Sequence, residues 1–93
     1  MHVGVLVIEI MIYSSSSLKE KRFVLNSIRD RVKRKFNVSI SELGYQDKWQ
    51  RAQIGIATIS NEYSHTEQSL QKVFQFLDRS DDYEIISYDY SYS

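Results

Sequence analysis

The chain has no cysteine. That removes a disulfide framework, thiol catalysis, cysteine-ligated zinc and iron–sulfur clusters from consideration. It has no proline, so neither a cis-proline turn nor a proline-rich linker is expected. Its three glycines, Gly4, Gly44 and Gly55, are too scattered to make a phosphate-cradling loop. There is no long hydrophobic run either. The apolar stretch from Val3 to Ile12 covers about ten residues, against the ~20 that cross a bilayer. It lacks a basic leader and a small-residue cleavage site, so no membrane partner and a cytoplasmic location are expected. Formal net charge is zero, so the overall charge names no partner.

Core-forming material is in ordinary supply: 42% of the residues are apolar and 13% aromatic, which argues against disorder. Ninety-three residues suffice for one core only, so residues 1–93 are expected to form a single domain. The neutral total hides an uneven placement. Residues 1–53 carry ten Lys/Arg against five Asp/Glu, whereas residues 54–93 carry two against seven. This dipolar distribution is the informative electrostatic quantity.

Hydrophobic patterning predicts six elements. His2 to Tyr13 reads as a strand, apolar on both alternating sets except at Glu9, as expected of a central strand with one unsealed face. Ser17 to Phe36 reads as a helix opened by a Ser17/Glu20 capping box. Leu18, Leu25, Ile28, Val32 and Phe36 form its buried stripe. Val38 to Gly44 and Arg51 to Asn61 read as an antiparallel pair, with small Gly55 and Ala57 admitting a close helix. Ser64, capped in the same way with Glu67, opens a second helix buried through Leu70, Val73, Phe74 and Leu77. Tyr83 to Tyr92 closes the chain as a strand. The order β-α-β-β-α-β, with right-handed crossovers, predicts an α+β ferredoxin-like sandwich: a four-stranded antiparallel sheet with two helices on one face.

The segment Ser17-Leu18-Lys19-Glu20-Lys21-Arg22, together with FNVSISELGYQDKWQRAQIGIATISN from Phe36 to Asn61, resembles the YlxP-like family of small bacterial proteins. The resemblance extends over roughly residues 2–90. It implies a ferredoxin-like fold and little chemistry, since the family is a domain of unknown function. Members are commonly encoded near translation-initiation and ribosome-maturation genes, which implies a ribosome-linked role by association.

The residues offer little for catalysis. His2 and His65 stand alone, no Asp/Glu or His spacing suggests a metal, and no cofactor is expected. Acylphosphatases have this fold, but their phosphate cradle is a glycine-rich loop containing an arginine. Here that loop is Ser14–Ser17, with no evident base, so a small phosphatase is a disfavoured alternative and no enzyme is expected. Binding is better supported. Eight bases stand against Glu20 and Asp30 between Lys19 and Lys35. At about 100° per residue, Arg29, Arg22, Lys33 and Lys19 share one ~80° sector beside the apolar stripe. Such a strip can meet several phosphates. It can equally be a solvated helix face, or pair with the acidic second helix.

Phe23 lies off the stripe on the same helix. The loop from Tyr45 to Arg51 adds the only tryptophan, Trp49, between Lys48 and Arg51, residue types suited to interfaces and to stacking on unpaired bases. Its alternative role is a lid over one end of the core. The candidate nucleic-acid-binding set is therefore Lys19, Arg22, Arg29, Lys33, Lys48, Trp49 and Arg51, with RNA or a ribosomal subunit as partner. A rival reading is a self-associating module. Tyr88, Tyr90 and Tyr92, with Val3, Val5, Val7 and Met11, would form an apolar sheet face suited to a homodimer.

Overall fold

The structure is a computed structural model that describes residues 1–93. In chain order the elements are β1 (His2–Met11), α1 (Leu18–Lys35), β2 (Ser39–Gly44), β3 (Arg51–Ser60), α2 (Tyr63–Leu77) and β4 (Glu84–Tyr92). The strands form one antiparallel sheet in the order β2-β3-β1-β4, the ferredoxin-like arrangement. The two strands richest in β-branched residues take the centre, where both backbone edges are paired.

Both helices lie on one face. The core between helices and sheet holds Leu6, Ile8, Ile10 and Ile12 of β1 and its following turn, Ala52, Ile54 and Ile56 of β3, Leu25, Ile28 and Val32 of α1, and Leu70, Val73 and Leu77 of α2. At roughly 1.5–3 kcal/mol for each fully buried large aliphatic, this layer is the main source of stability. The opposite face of the sheet is uncovered.

Gly4 sets how closely α2 can approach. A Cβ there would fall 2.5 Å from Thr66 Cγ2 and 2.8 Å from Leu70 Cδ1. The position expected to admit a helix, Gly55, is on the other face. It pairs with Val7 and makes room for Leu43, whose Cδ1 would lie 2.6 Å from an added Cβ. Its neighbour Ala57 pairs with Val5 on the same uncovered side.

The facing of β4 also differs from expectation. Tyr88, Tyr90 and Tyr92 pair with Ile8, Leu6 and Gly4, so they stand on the helix side with α2. Tyr88 lies 4.8 Å from the ring of Phe74, and Tyr92 lies 5.2 Å from that of Tyr63. Burial raises the pKa of the Tyr90 and Tyr92 hydroxyls. A register shift between the partners of Glu9 and Ile10 leaves Ile86 as the extra residue. One extra residue reverses the inward–outward parity, so Ile85, not Ile86, packs against the core. The apolar set proposed for a homodimer is thus split. The valines and Met11 remain on the uncovered face, and the tyrosines do not join them.

Helix starts follow two different chemistries. Ser17 caps α1 as expected, its Oγ accepting from the Glu20 amide at 3.1 Å. The Glu20 carboxylate reaches back to the Ser16 amide at 2.7 Å rather than to that of Ser17. Helix α2 begins one residue before the expected Ser64, with Glu62 at the N-cap and no side-chain cap at all. The expected Ser64/Glu67 box does not form. Leu18 is 41% exposed, and its expected place in the buried stripe of α1 is taken by Lys21.

Candidate nucleic-acid interface

Lys21 is fully buried, with 0% of its side chain exposed. Its position on the helix points it into the apolar stripe, between Leu25 and Ile28. Glu42 comes to meet it because β2 alternates: Ile40 pairs with Ile56 and Glu42 with Ile54, so both face the helices. The Lys21 Nζ lies 3.1 Å from Glu42 Oε2, an ionic contact rather than an aligned hydrogen bond. It donates to the Tyr45 carbonyl at 2.6 Å. Arg22 donates to the other carboxylate oxygen, Oε1, at 2.6 Å. One β2 carboxylate thus pairs with two cations of α1, and the four methylenes of Lys21 serve as core.

The same contact fixes the β2–β3 loop. Tyr45 has φ of 60°, the left-handed region that costs a non-glycine residue roughly 1 kcal/mol or more. Its carbonyl accepts from both Lys21 Nζ and the Lys48 amide. Its ring lies 4.3 Å under the Arg51 guanidinium. Arg51 in turn donates to Glu9 at 2.6 Å across the β1–β3 pair, and that bond raises the Arg51 pKa above its ordinary value. The loop's other end is held by Gln50, whose side-chain amide donates to the carbonyls of Tyr13 and Ser15 at 3.0 and 3.1 Å.

The seven candidate residues therefore separate. Arg22 and Arg51 are in ion pairs. Lys19, Arg29, Lys33 and Lys48 are in none, and neither are Arg31, Arg34 and Lys35 on the rest of α1. The expected alternative of pairing with the acidic second helix does not occur. What links α1 to α2 at their far ends is Lys35, whose Nζ sits 4.9 Å over the ring of Phe76. Lys19 and Lys33 are exposed and Arg29 is half-buried beside Ile40 and Ser41, so the unpaired strip runs along the β2 side of α1. Trp49 is 55% exposed and outside the core, so it is not a lid. It lines a cleft of about 430 Å³ with Tyr45, Asp47, Lys48, Gln50 and Arg51. Phe23 is 78% exposed.

Lys21 and Glu42 were outside the candidate set. Their signal was present in the pattern: a lysine in the middle of a buried stripe, and a glutamate on the inward set of a strand. Each alone reads as an error of patterning, and together they read as a buried pair.

The serine loop is occupied with structure. Ser15 donates to the Ser17 carbonyl, Ser16 to the Glu20 carboxylate, and Ser17 caps α1. No helix is long and apolar enough to cross a membrane. The chain is 54% identical over 76 residues to the uncharacterized protein YlxP of Bacillus subtilis (strain 168), covering 82% of this chain and 83% of that protein. The model of a family described as "Protein of unknown function (DUF503)" matches residues 3–90. With nearly the whole of its length matched, the chain belongs to the DUF503 family.

Proposed function

We propose that this protein binds RNA, free or within a ribosomal subunit, through phosphate contacts along α1, and acts as an accessory binding protein rather than an enzyme. The observation that carries this reading is the division of the α1 cations. Of the eight between Lys19 and Lys35, only Lys21 and Arg22 are paired with a carboxylate, that of Glu42. Lys19, Arg29 and Lys33 lie along a ridge of roughly 21 Å, and none of them is in an ion pair. Phosphate neutralisation by such a ridge releases counterions, which supplies affinity without sequence preference. The acylphosphatase-like alternative is weakened by the loop before α1. There the Ser16 amide is already taken by the Glu20 carboxylate, a group that repels an incoming phosphate.

The test is the triple variant Lys19→Glu, Arg29→Glu, Lys33→Glu, titrated with oligouridylate and with ribosomal subunits at several salt concentrations. Three lost phosphate contacts should reduce the slope of log K against log salt by about 2 for a single strand. Unchanged affinity and slope reject the surface.

A second reading, self-association through the uncovered sheet face, is favoured by one observation. Val3, Val5, Val7, Met11, Leu43 and Ile59 all lie on that face, Leu43 and Ile59 more than half exposed. Four strands of six to ten residues present roughly 550 Å², less than the ~800 Å² per partner of a standard interface. The expected homodimer is therefore weak and concentration-dependent. A monomer in sedimentation at every concentration removes it.

A further inference from the structure

The β2–β3 loop carries a cleft that a phosphate-binding ridge alone does not require. We propose that this cleft is a stacking site for an unpaired nucleobase, so that the polyanion held by α1 is single-stranded rather than duplex RNA. The proposal rests on the RNA reading above and names the class of nucleic acid it takes.

The cleft offers aromatic and guanidinium planes at one place. Trp49 leaves more than half of its surface free. The Arg51 guanidinium is already stacked on the Tyr45 ring and bound to Glu9. Arg51 is therefore part of the wall and not a free phosphate ligand. The volume of about 430 Å³ is within the usual range for small-ligand clefts. Asp47 also lines it, which keeps phosphate out of the interior and leaves a carboxylate to accept from base N–H groups. Lys48, exposed on the same wall, is placed for the phosphate of the nucleotide whose base enters.

The wall is held before any ligand arrives. Lys21, Gln50 and the backbone bond from the Ile12 amide to the Gln50 carbonyl tie the loop to α1, to the serine loop and to β1. Little ordering entropy remains to oppose binding. The Lys21 bond to Tyr45 also sets the cleft against the first turns of α1, where Lys19 begins the ridge. A cationic track leading to an aromatic platform is the arrangement that single-stranded nucleic acid uses. Duplex RNA keeps its base faces inside the stack and has nothing to give the cleft.

Because Trp49 is the only tryptophan, its emission reports on the cleft alone. The experiment titrates the full chain with a labelled oligouridylate of about a dozen nucleotides, and separately with an RNA duplex of similar length. Binding is followed by anisotropy of the label and stacking by tryptophan quenching. Oligouridylate should bind and quench, and the duplex should bind more weakly without quenching. Trp49→Ala should weaken oligouridylate by about 5- to 100-fold, and Trp49→Phe should retain most of the affinity. Binding with unmoved emission and an undiminished Trp49→Ala variant overturns the stacking site and leaves the α1 ridge standing. Equal quenching by the duplex overturns the single-strand assignment. Failure of both RNAs to bind overturns the ridge, and this proposal with it.

Discussion

The two helices lie on the same face of the same sheet, yet they are attached by different physics. Helix α2 makes its close approach over β1 and β3, where Gly4 has no side chain to hold it off. It docks through Leu70, Val73 and Leu77 and borrows the tyrosines of β4 for its flank. Helix α1 makes its close approach to the edge strand β2, and part of its buried stripe is a lysine held by a carboxylate. The difference teaches where a small domain can put its charges. The helix over the sheet centre is a packing element, and the helix at the edge keeps an outer side for cations that form no ion pair.

The largest expected effect falls on the α2 side. Leu70→Ala removes a fully buried side chain from beneath α2 and should cost about 2–5 kcal/mol, read as a lowered midpoint in urea. Gly4→Ala should act in the opposite sense, by overpacking the same contact, and cost about 1–3 kcal/mol. If both variants unfold at the wild-type midpoint, α2 does not dock as described.

On the α1 side the corresponding variant is Glu42→Ala. It leaves the Lys21 ammonium buried with only the Tyr45 carbonyl as partner, and frees Arg22 to solvent. Breaking a buried pair from one side should cost about 2–3 kcal/mol, the surviving bond keeping it below the usual range. Lys21→Met, which replaces the stem by an apolar one of similar length, should cost less than Glu42→Ala. The reverse order, measured by the same denaturation, would mean that the ammonium's bond to the loop outweighs its pairing.

A third effect depends on pH. Tyr83 is buried at the end of α2, where its hydroxyl donates to the Leu77 carbonyl at 2.7 Å. Burial pushes its pKa up from the ordinary 10 to about 12. The fold therefore favours the neutral phenol. Its contribution is complete below pH 10 and is lost as pH rises through 12. The stability at stake is on the order of 1–2 kcal/mol after allowance for solvent screening. Tyr83→Phe should reduce the slope between pH 10 and 12, leaving the smaller share of Tyr90 and Tyr92, and lower stability at neutral pH by about 1 kcal/mol for the lost hydrogen bond.

These contrasts also show what a linear reading of the residues can hold. The element order, the central strands and the capping by Ser17 follow from local pattern, because periodicity and cap chemistry act over a few residues. The β4 face could not be read, since one bulged residue, Ile86, inverts the alternation without leaving a mark in composition. The close helix expected at Gly55 is met at Gly4 instead, because a glycine signals close approach but not from which side. The candidate ridge was legible as a sector of α1. Which cations in it were already neutralised was not, because Glu42 is 20 residues away and meets Arg22 only through the sheet register. Arg51 was misplaced for the same reason, its partner Glu9 lying 42 residues distant.

The smallest expected effect is the most specific to this division of labour. Arg29 and Lys33 are four residues apart on α1, a like-charge pair that costs a helix about 0.2–0.5 kcal/mol. Neither has a carboxylate partner that would offset it. Arg29→Gln should therefore leave the fold unharmed and raise its stability by a few tenths of a kcal/mol at low salt, the gain fading as salt screens the repulsion. The same substitution should weaken RNA binding and reduce its salt slope by about 0.7 for a single strand. Opposite signs for stability and binding are what a residue kept for a partner must show. A variant that loses stability and keeps its affinity would place Arg29 among the structural cations with Lys21, and would shorten the ridge to Lys19 and Lys33.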